Sequence, residues 1–211
     1  MRIKITLLFC LLTISLTYGQ YDWTKGKLVL KNGDTLKGQI KLPMISKNLV
    51  AFNGKEKVKY RKNRKSKKIK YDETKVEKVI FRNSDTEIAF FEYIQTSKKK
   101  KGLFKVISSG KATLYARSVS MTSSTPMYMG GPNGGTWNHW NYSFSDFNEF
   151  YVLKEDEAIA SPLITARLSR SFKKRAMEYF SDCPNLVSKL DKRMYVKDDI
   201  KDVIDEYNEC K

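Results

Sequence analysis

The sequence predicts an α+β protein in three parts: an N-terminal small β-barrel, an antiparallel β-meander and a C-terminal helical segment. Three observations carry this expectation. From Gly26 to about Asn83, short alternating runs are cut by turn pairs such as Asn32-Gly33 and Asn53-Gly54. From Thr86 the alternating runs lengthen. From Glu155 the apolar spacing changes to that of a helix. A hydrophobic content of 41% with 12% aromatics, in 211 residues, is enough for a packed core and excludes a wholly disordered chain or a fibrous rod. A single long apolar run excludes a protein with several transmembrane helices.

That run is N-terminal. Arg2 and Lys4 precede an apolar stretch from Ile5 to Leu16, and Thr17-Tyr18-Gly19 follows with small residues placed for cleavage before Gln20. This is the layout of a secretory signal peptide over residues 1–19. A membrane anchor needs about 20 apolar residues, more than this run supplies. A lipoprotein signal at Cys10 is excluded because Phe9 is bulky and the apolar run continues past the cysteine. Cleavage leaves 38 basic and 23 acidic residues of the chain's 40 and 23, a net charge of about +15. The expected location is outside the cytosol: periplasmic, outer-membrane-associated or extracellular. No transmembrane helix is expected in the mature chain. In that oxidising space the remaining pair, Cys183 and Cys210, is most simply a disulfide. A free thiol pair would be expected at C-x-x-C spacing.

The barrel-like unit (20–84) is expected to use Lys27–Leu30 and Thr35–Leu42 around the Asn32-Gly33-Asp34 turn, then Leu49–Phe52, Lys68–Tyr71 and Val76–Phe81. Leu36, Gln39 or Ile40, and Leu42 are the candidate inward positions, and Gly38 suggests a bulge or sharp bend. Five short strands bury a core best by bending into a small barrel. The sheet unit (85–154) is expected to hold Glu87–Ile94, Leu103–Ile107, Ala112–Ala116 and Glu149–Leu153. Between the last two, residues 121–145 carry four of the eleven glycines and no aliphatic residue, and read as a long loop. In the helical segment (155–211), Ser161-Pro162 reads as a helix start, with Leu168, Phe172, Ala176 and Tyr179/Phe180 on one face. Asp182-Cys183-Pro184 ends that helix and opens a short one through Leu190. A last helix from about Asp198 to Glu209 presents Ile200, Val203, Ile204, Tyr207 and Cys210 on one face.

The run Leu28-Val29-Leu30-Lys31-Asn32-Gly33-Asp34-Thr35-Leu36-Lys37-Gly38-Gln39-Ile40 resembles the opening of Sm-like small barrels. Most of the mature chain resembles a group of secreted proteins of flavobacteria and other Bacteroidota. The residues that carry this likeness are Gly19-Gln20, the Phe104–Tyr115 hairpin, and the tail Tyr179-Phe180-Ser181-Asp182-Cys183-Pro184 with Tyr207-Asn208-Glu209-Cys210. The resemblance implies an extracytoplasmic location and paired cysteines, and no particular activity. The lysine-rich stretch 55–70 and the Met/Trp/Gly stretch 121–145 fall outside it.

Those two stretches hold the candidate sites. Residues 55–70 contain ten basic side chains in sixteen, and Lys98, Lys99, Lys100 and Lys101 form a second block. Lys62, Arg64, Lys65, Lys67, Lys68 and Lys98–Lys101 are candidates for binding an anionic envelope polymer. Their alternative reading is solvated turn tips that discourage strand pairing at a sheet edge. Few aromatics lie near them, so no sequence-specific nucleic acid is expected. Trp137, His139, Trp140 and Tyr142 are candidates for glycan or partner-protein contact, the partner in view being an outer-membrane protein. The nearby methionines with the sole histidine also resemble a soft copper(I) ligand set, but no metal or cofactor is expected. The alternative is a loop whose aromatics tuck over the sheet. No nucleophile, metal-protease or phosphate-loop motif is present, and no catalytic residue is assigned. The expected function is therefore a non-catalytic envelope or surface protein, with a hydrolase acting on an envelope polymer as the alternative.

Overall fold

The computed structural model describes residues 23–46, 49–50, 56–82, 88–130, 136–166 and 171–210, with the backbone alone at 45–46, 120–130 and 136–146. The signal-peptide stretch lies outside the described residues. Among the described residues no helix is long and apolar enough to cross a membrane.

The chain forms β1 (Thr24–Leu30), β2 (Thr35–Lys41), β3 (Met44–Ser46), β4 (Leu49–Val50), β5 (Val58–Arg61), β6 (Ile69–Tyr71) and β7 (Val76–Arg82). Then come β8 (Ile88–Ser97), β9 (Lys100–Ser108), β10 (Ala112–Gly130), β11 (Thr136–Lys154) and β12 (Ser161–Ile164). Three helices follow: α1 (Phe172–Tyr179), α2 (Pro184–Asp191) and α3 (Ile200–Glu209). Ten strands make one sheet in the order β12-β11-β10-β9-β8-β7-β1-β2-β5-β6, and every pairing in it is antiparallel.

The β1–β2 turn forms as the Asn-Gly signal predicts. Gly33 sits at φ 89°, a conformation that L side chains avoid. Gly38 does not mark a bulge, since the β1–β2 register is unbroken there. Its constraint is a close approach: a β-carbon would lie 2.7 Å from the Tyr60 ring and 2.6 Å from the Arg61 carbonyl. The Tyr60 hydroxyl donates to the Lys37 carbonyl at 3.0 Å and pins that ring in place.

The N-terminal strands curl strongly without closing. Only residues 72–75 separate β6 from β7, yet β5, β2 and β1 lie between them in the sheet. A flat sheet would hold β6 and β7 about 19 Å apart. Instead the link is a tight turn in which the Val76 N–H reaches the Asp72 carbonyl at 3.0 Å. The Tyr93 hydroxyl of β8 donates across the curl to the Glu56 carbonyl at 2.7 Å. No hydrogen-bonded ladder joins β6 to β7, so the expected barrel is replaced by an open, curled sheet continuous with the strands that follow. Leu28, Ile40, Val58, Val76, Val79, Phe91 and Leu103 fill the inside of the curl.

Three further expectations are corrected. The stretch 121–145 is not a long loop. β10 and β11 pair residue by residue from Ala112↔Lys154 to Gly130↔Thr136, so most of it is a two-stranded arm. Its Thr, Tyr, Trp and Phe residues are good strand formers even without aliphatic neighbours. Ser161-Pro162 starts no helix. Ser161 pairs with Val152 and Pro162 with Tyr151 in β12, an edge strand, where a missing N–H is tolerated. The first helix begins only after Ser171, whose hydroxyl accepts from the Lys174 N–H. Leu168 lies outside the described residues. Finally, β5 runs inside the basic stretch, with Val58 and Tyr60 buried and Lys59 outward.

The three helices cover the inner face at the other end of the sheet. Ala176, Phe180, Leu186, Leu190, Ile200, Val203, Ile204 and Tyr207 pack on Leu114, Val152 and Leu163. Cys183 and Cys210 are bonded, with Cα atoms 6.1 Å apart. The bond ties the start of α2 to the end of α3, as expected. Lys154 anchors this cap to β11, donating to the Asp182 carboxylate at 3.0 Å and to the Tyr179 carbonyl at 3.1 Å.

Candidate functional site

Strand alternation sorts the outward side chains of the curled region onto one convex face. Lys27 sits across from Lys37 on one side and Ile80 on the other, and Ile80 sits across from Phe90. One step along, Lys25 is paired with Gln39, and Arg82 with Ile88. Further out, Gln39 pairs with Arg61, Lys41 with Lys59, and Lys59 with Lys70. The outward positions of five strands (β6, β5, β2, β1 and β7) thus form a field of cations. These positions carry Lys25, Lys27, Lys37, Lys41, Lys59, Arg61, Lys70, Lys78 and Arg82, with Gln39 and Ile80 among them.

Within this field lies a shallow groove of about 670 Å³. Gly26, Gly38, Ile80, Ile88 and Phe90 supply its apolar surface, and Lys25, Lys27, Lys37 and Arg82 surround it; among the described residues no acid lines it. Ile88 and Phe90 are 43% and 37% exposed, unusual for large apolar side chains on a sheet. The nearest acid on β8 is Glu92, which Lys78 meets at 4.0 Å.

The same outer face is closed further along the sheet. Phe104, Tyr115 and Tyr151 cluster there with Ile94 and Ala160, and the Ala160 N–H bonds the Gln95 carbonyl at 2.8 Å. Arg117 lies under this cover, 4.6 Å from the Phe104 ring centre, and pairs with Glu149 at 2.8 Å. Burial pushes the Tyr115 hydroxyl up to about 12, with the Glu92 carboxylate adding to the shift. It remains a neutral phenol at physiological pH. Covered rings therefore give way, on one continuous face, to exposed apolar side chains ringed by cations.

The structure scatters the sequence-predicted candidates. Lys62, Arg64, Lys65, Lys67 and Lys68 occupy the exposed β5–β6 turn beside the edge strand β6, where they also oppose edge-to-edge pairing. Lys98, Lys99, Lys100 and Lys101 are exposed at the β8–β9 turn. Trp137 and His139 share one face of the arm by register, and Trp140 and Tyr142 the other, so the four are not one surface. Block-counting of charge missed Lys25, Lys27, Lys37 and Arg82. The signal that could have found them is alternation: Lys25-x-Lys27, Lys37-x-Gln39-x-Lys41, Lys57-x-Lys59-x-Arg61 and Ile80-x-Arg82.

A second groove, of about 710 Å³, gathers Asp202, Asp205, Glu206 and Glu209 beside the disulfide. Bonds from Lys201 and Ser108 hold the Asp205 carboxyl below the usual range. Burial pushes Glu206 up, but bonds from Tyr195 and Lys189 outweigh it and leave the carboxyl lowered. A carboxyl serving as general acid has to stay protonated near neutral pH, and these two groups are shifted in the opposite direction. Among the described residues no group of three or more His, Cys, Asp or Glu forms a metal site.

The chain matches no protein-family model, and no curated protein or solved structure shows significant similarity to it.

Proposed function

We propose that this chain is an exported, non-catalytic envelope protein whose convex sheet face binds an anionic amphiphile of the envelope. The observation that carries the reading is the groove in which Lys25, Lys27, Lys37 and Arg82 surround the apolar side chains of Ile80, Ile88 and Phe90. Phosphate or carboxylate head groups are drawn by the cations, and acyl chains cover the exposed Ile88 and Phe90. Each lysine or arginine near an anionic lipid surface contributes about 1 kcal/mol. The further lysines on β5 and β6 widen the electrostatic footprint. Export rests on the pattern of residues 1–19 and is supported by the Cys183–Cys210 bond, since such bonds persist in oxidising compartments.

The test is vesicle flotation of the purified protein at low and high salt. Phosphatidylglycerol vesicles are expected to carry the protein and phosphatidylcholine vesicles to leave it behind. Salt should weaken the binding, and Phe90→Asp should weaken it at both salt concentrations. Equal flotation with both lipids, or none with either, would contradict the proposal.

A further inference from the structure

The register of the β10–β11 arm picks out which methionines of the stretch lie beside the sole histidine. It sets Met127 opposite His139 and Met129 opposite Trp137. Residues two apart in a strand share a face, so these four occupy one block on one face of the ribbon. In such a ribbon directly opposed β-carbons lie about 5 Å apart, and same-face neighbours along a strand about 7 Å apart. His139 is the only histidine of the chain. Met121 shares the face, but lies six residues from Met127, about 20 Å along the strand.

The surroundings are equally selective. Residues 121–145 contain no Asp, Glu, Lys, Arg or Cys, in a chain that is 30% charged. The arm's own sequence thus offers no carboxylate to a hard cation and no lysine to repel a bound one. Thioether and imidazole are donors suited to soft d¹⁰ ions, and an indole face attracts a cation. We propose that the juxtaposition of Met127, Met129 and His139, with Trp137 at the fourth corner, forms a site for one soft monovalent cation, Cu(I) or Ag(I). The arm is then a metal-responsive element separate from the cationic groove. The proposal stands or falls independently of lipid binding.

The experiment is calorimetric titration of the purified protein with silver nitrate in chloride-free buffer, alongside Cu(I) competition against bicinchoninate. One equivalent is expected to bind. Met127→Leu and His139→Gln should each weaken binding at least tenfold, Met121→Leu should leave it unchanged, and zinc should not compete. Silver should quench tryptophan emission, and Trp137→Phe should remove that quenching while Trp140→Phe retains it. Circular dichroism of each variant verifies folding. No uptake of either ion would overturn the proposal. So would uptake insensitive to Met127 and His139, or equal sensitivity to Met121 and Met127.

Discussion

Arg117 is a charge held almost out of water. Its guanidinium bonds the Glu149 carboxylate at 2.8 Å and lies against the Phe104 ring, while both members of the pair are at most 10% exposed at the side chain. Gly102 fits this arrangement, because a β-carbon there would approach the guanidinium to 2.9 Å. Removing one member leaves the other buried without its counter-charge. Arg117→Met is therefore expected to cost about 3–5 kcal/mol in urea unfolding. The double variant Arg117→Met/Glu149→Met should recover much of the loss. A single-variant cost below 1 kcal/mol would mean that water reaches the pair.

Asp205 gives the same scale a pH signature. Lys201 and Ser108 stabilise its ionised form and lower its folded-state pKa. A lowered carboxyl contributes stability that is fully present above its unfolded value, about 3.9, and is lost as pH falls through the folded value. Asp182 is lowered too: burial opposes ionisation, and bonds from Tyr207 and Lys154 overcome it. Thermal midpoints should thus fall steeply below about pH 4. Asp205→Asn should lower the midpoint at pH 7, and its effect should shrink progressively as the pH falls below about 4. An equal loss above and below that pH would assign Asp205 a purely steric role.

At the scale of elements, the C-terminal cap depends on a covalent tie. The Cys183–Cys210 bond closes a loop with a sequence separation of 27, worth about 3.5 kcal/mol in the chain-entropy account. Cys210→Ser, or reduction of the native protein, should lower stability by that order. Hydrogen exchange should show α3 opening before the sheet. Uniform exchange across the sheet and cap would show that packing alone holds α3. This element was readable in advance: Ile200, Val203, Ile204 and Tyr207 repeat at helical spacing, and all four are buried. β12 was not, because Ser161-Pro162 is locally a sound helix start. Only its pairing with Tyr151 and Val152 makes it an edge strand. The arm escaped for a related reason, since polar and aromatic strands without aliphatics resemble a loop until a partner strand is known.

Over the whole molecule, the β-rich body and the helical cap could be read from periodicity, whereas the extent of the sheet could not. Local turn signals cut the chain into a barrel and a meander, but the β7–β8 ladder runs straight across that division. The candidate site was hidden in the same way. Lys27, Lys37, Ile80 and Phe90 lie in four different strands and become neighbours only through register. Lys62–Lys68 and Lys98–Lys101, conspicuous in the sequence, fall at turns. Two sets of cations therefore compete for the same role, and charge alone does not separate them. Reversing Lys27 and Lys37 removes two attractive charges from the groove and should weaken binding to phosphatidylglycerol vesicles by at least about 30-fold, at about 1 kcal/mol per charge. The most direct measurement compares Lys27→Glu/Lys37→Glu with Lys65→Glu/Lys67→Glu, matched in net charge, in vesicle binding at physiological salt. The groove variant is expected to lose binding while the turn variant keeps most of it. Equal losses, or a larger loss from the turn variant, would contradict the assignment of the groove as the binding site.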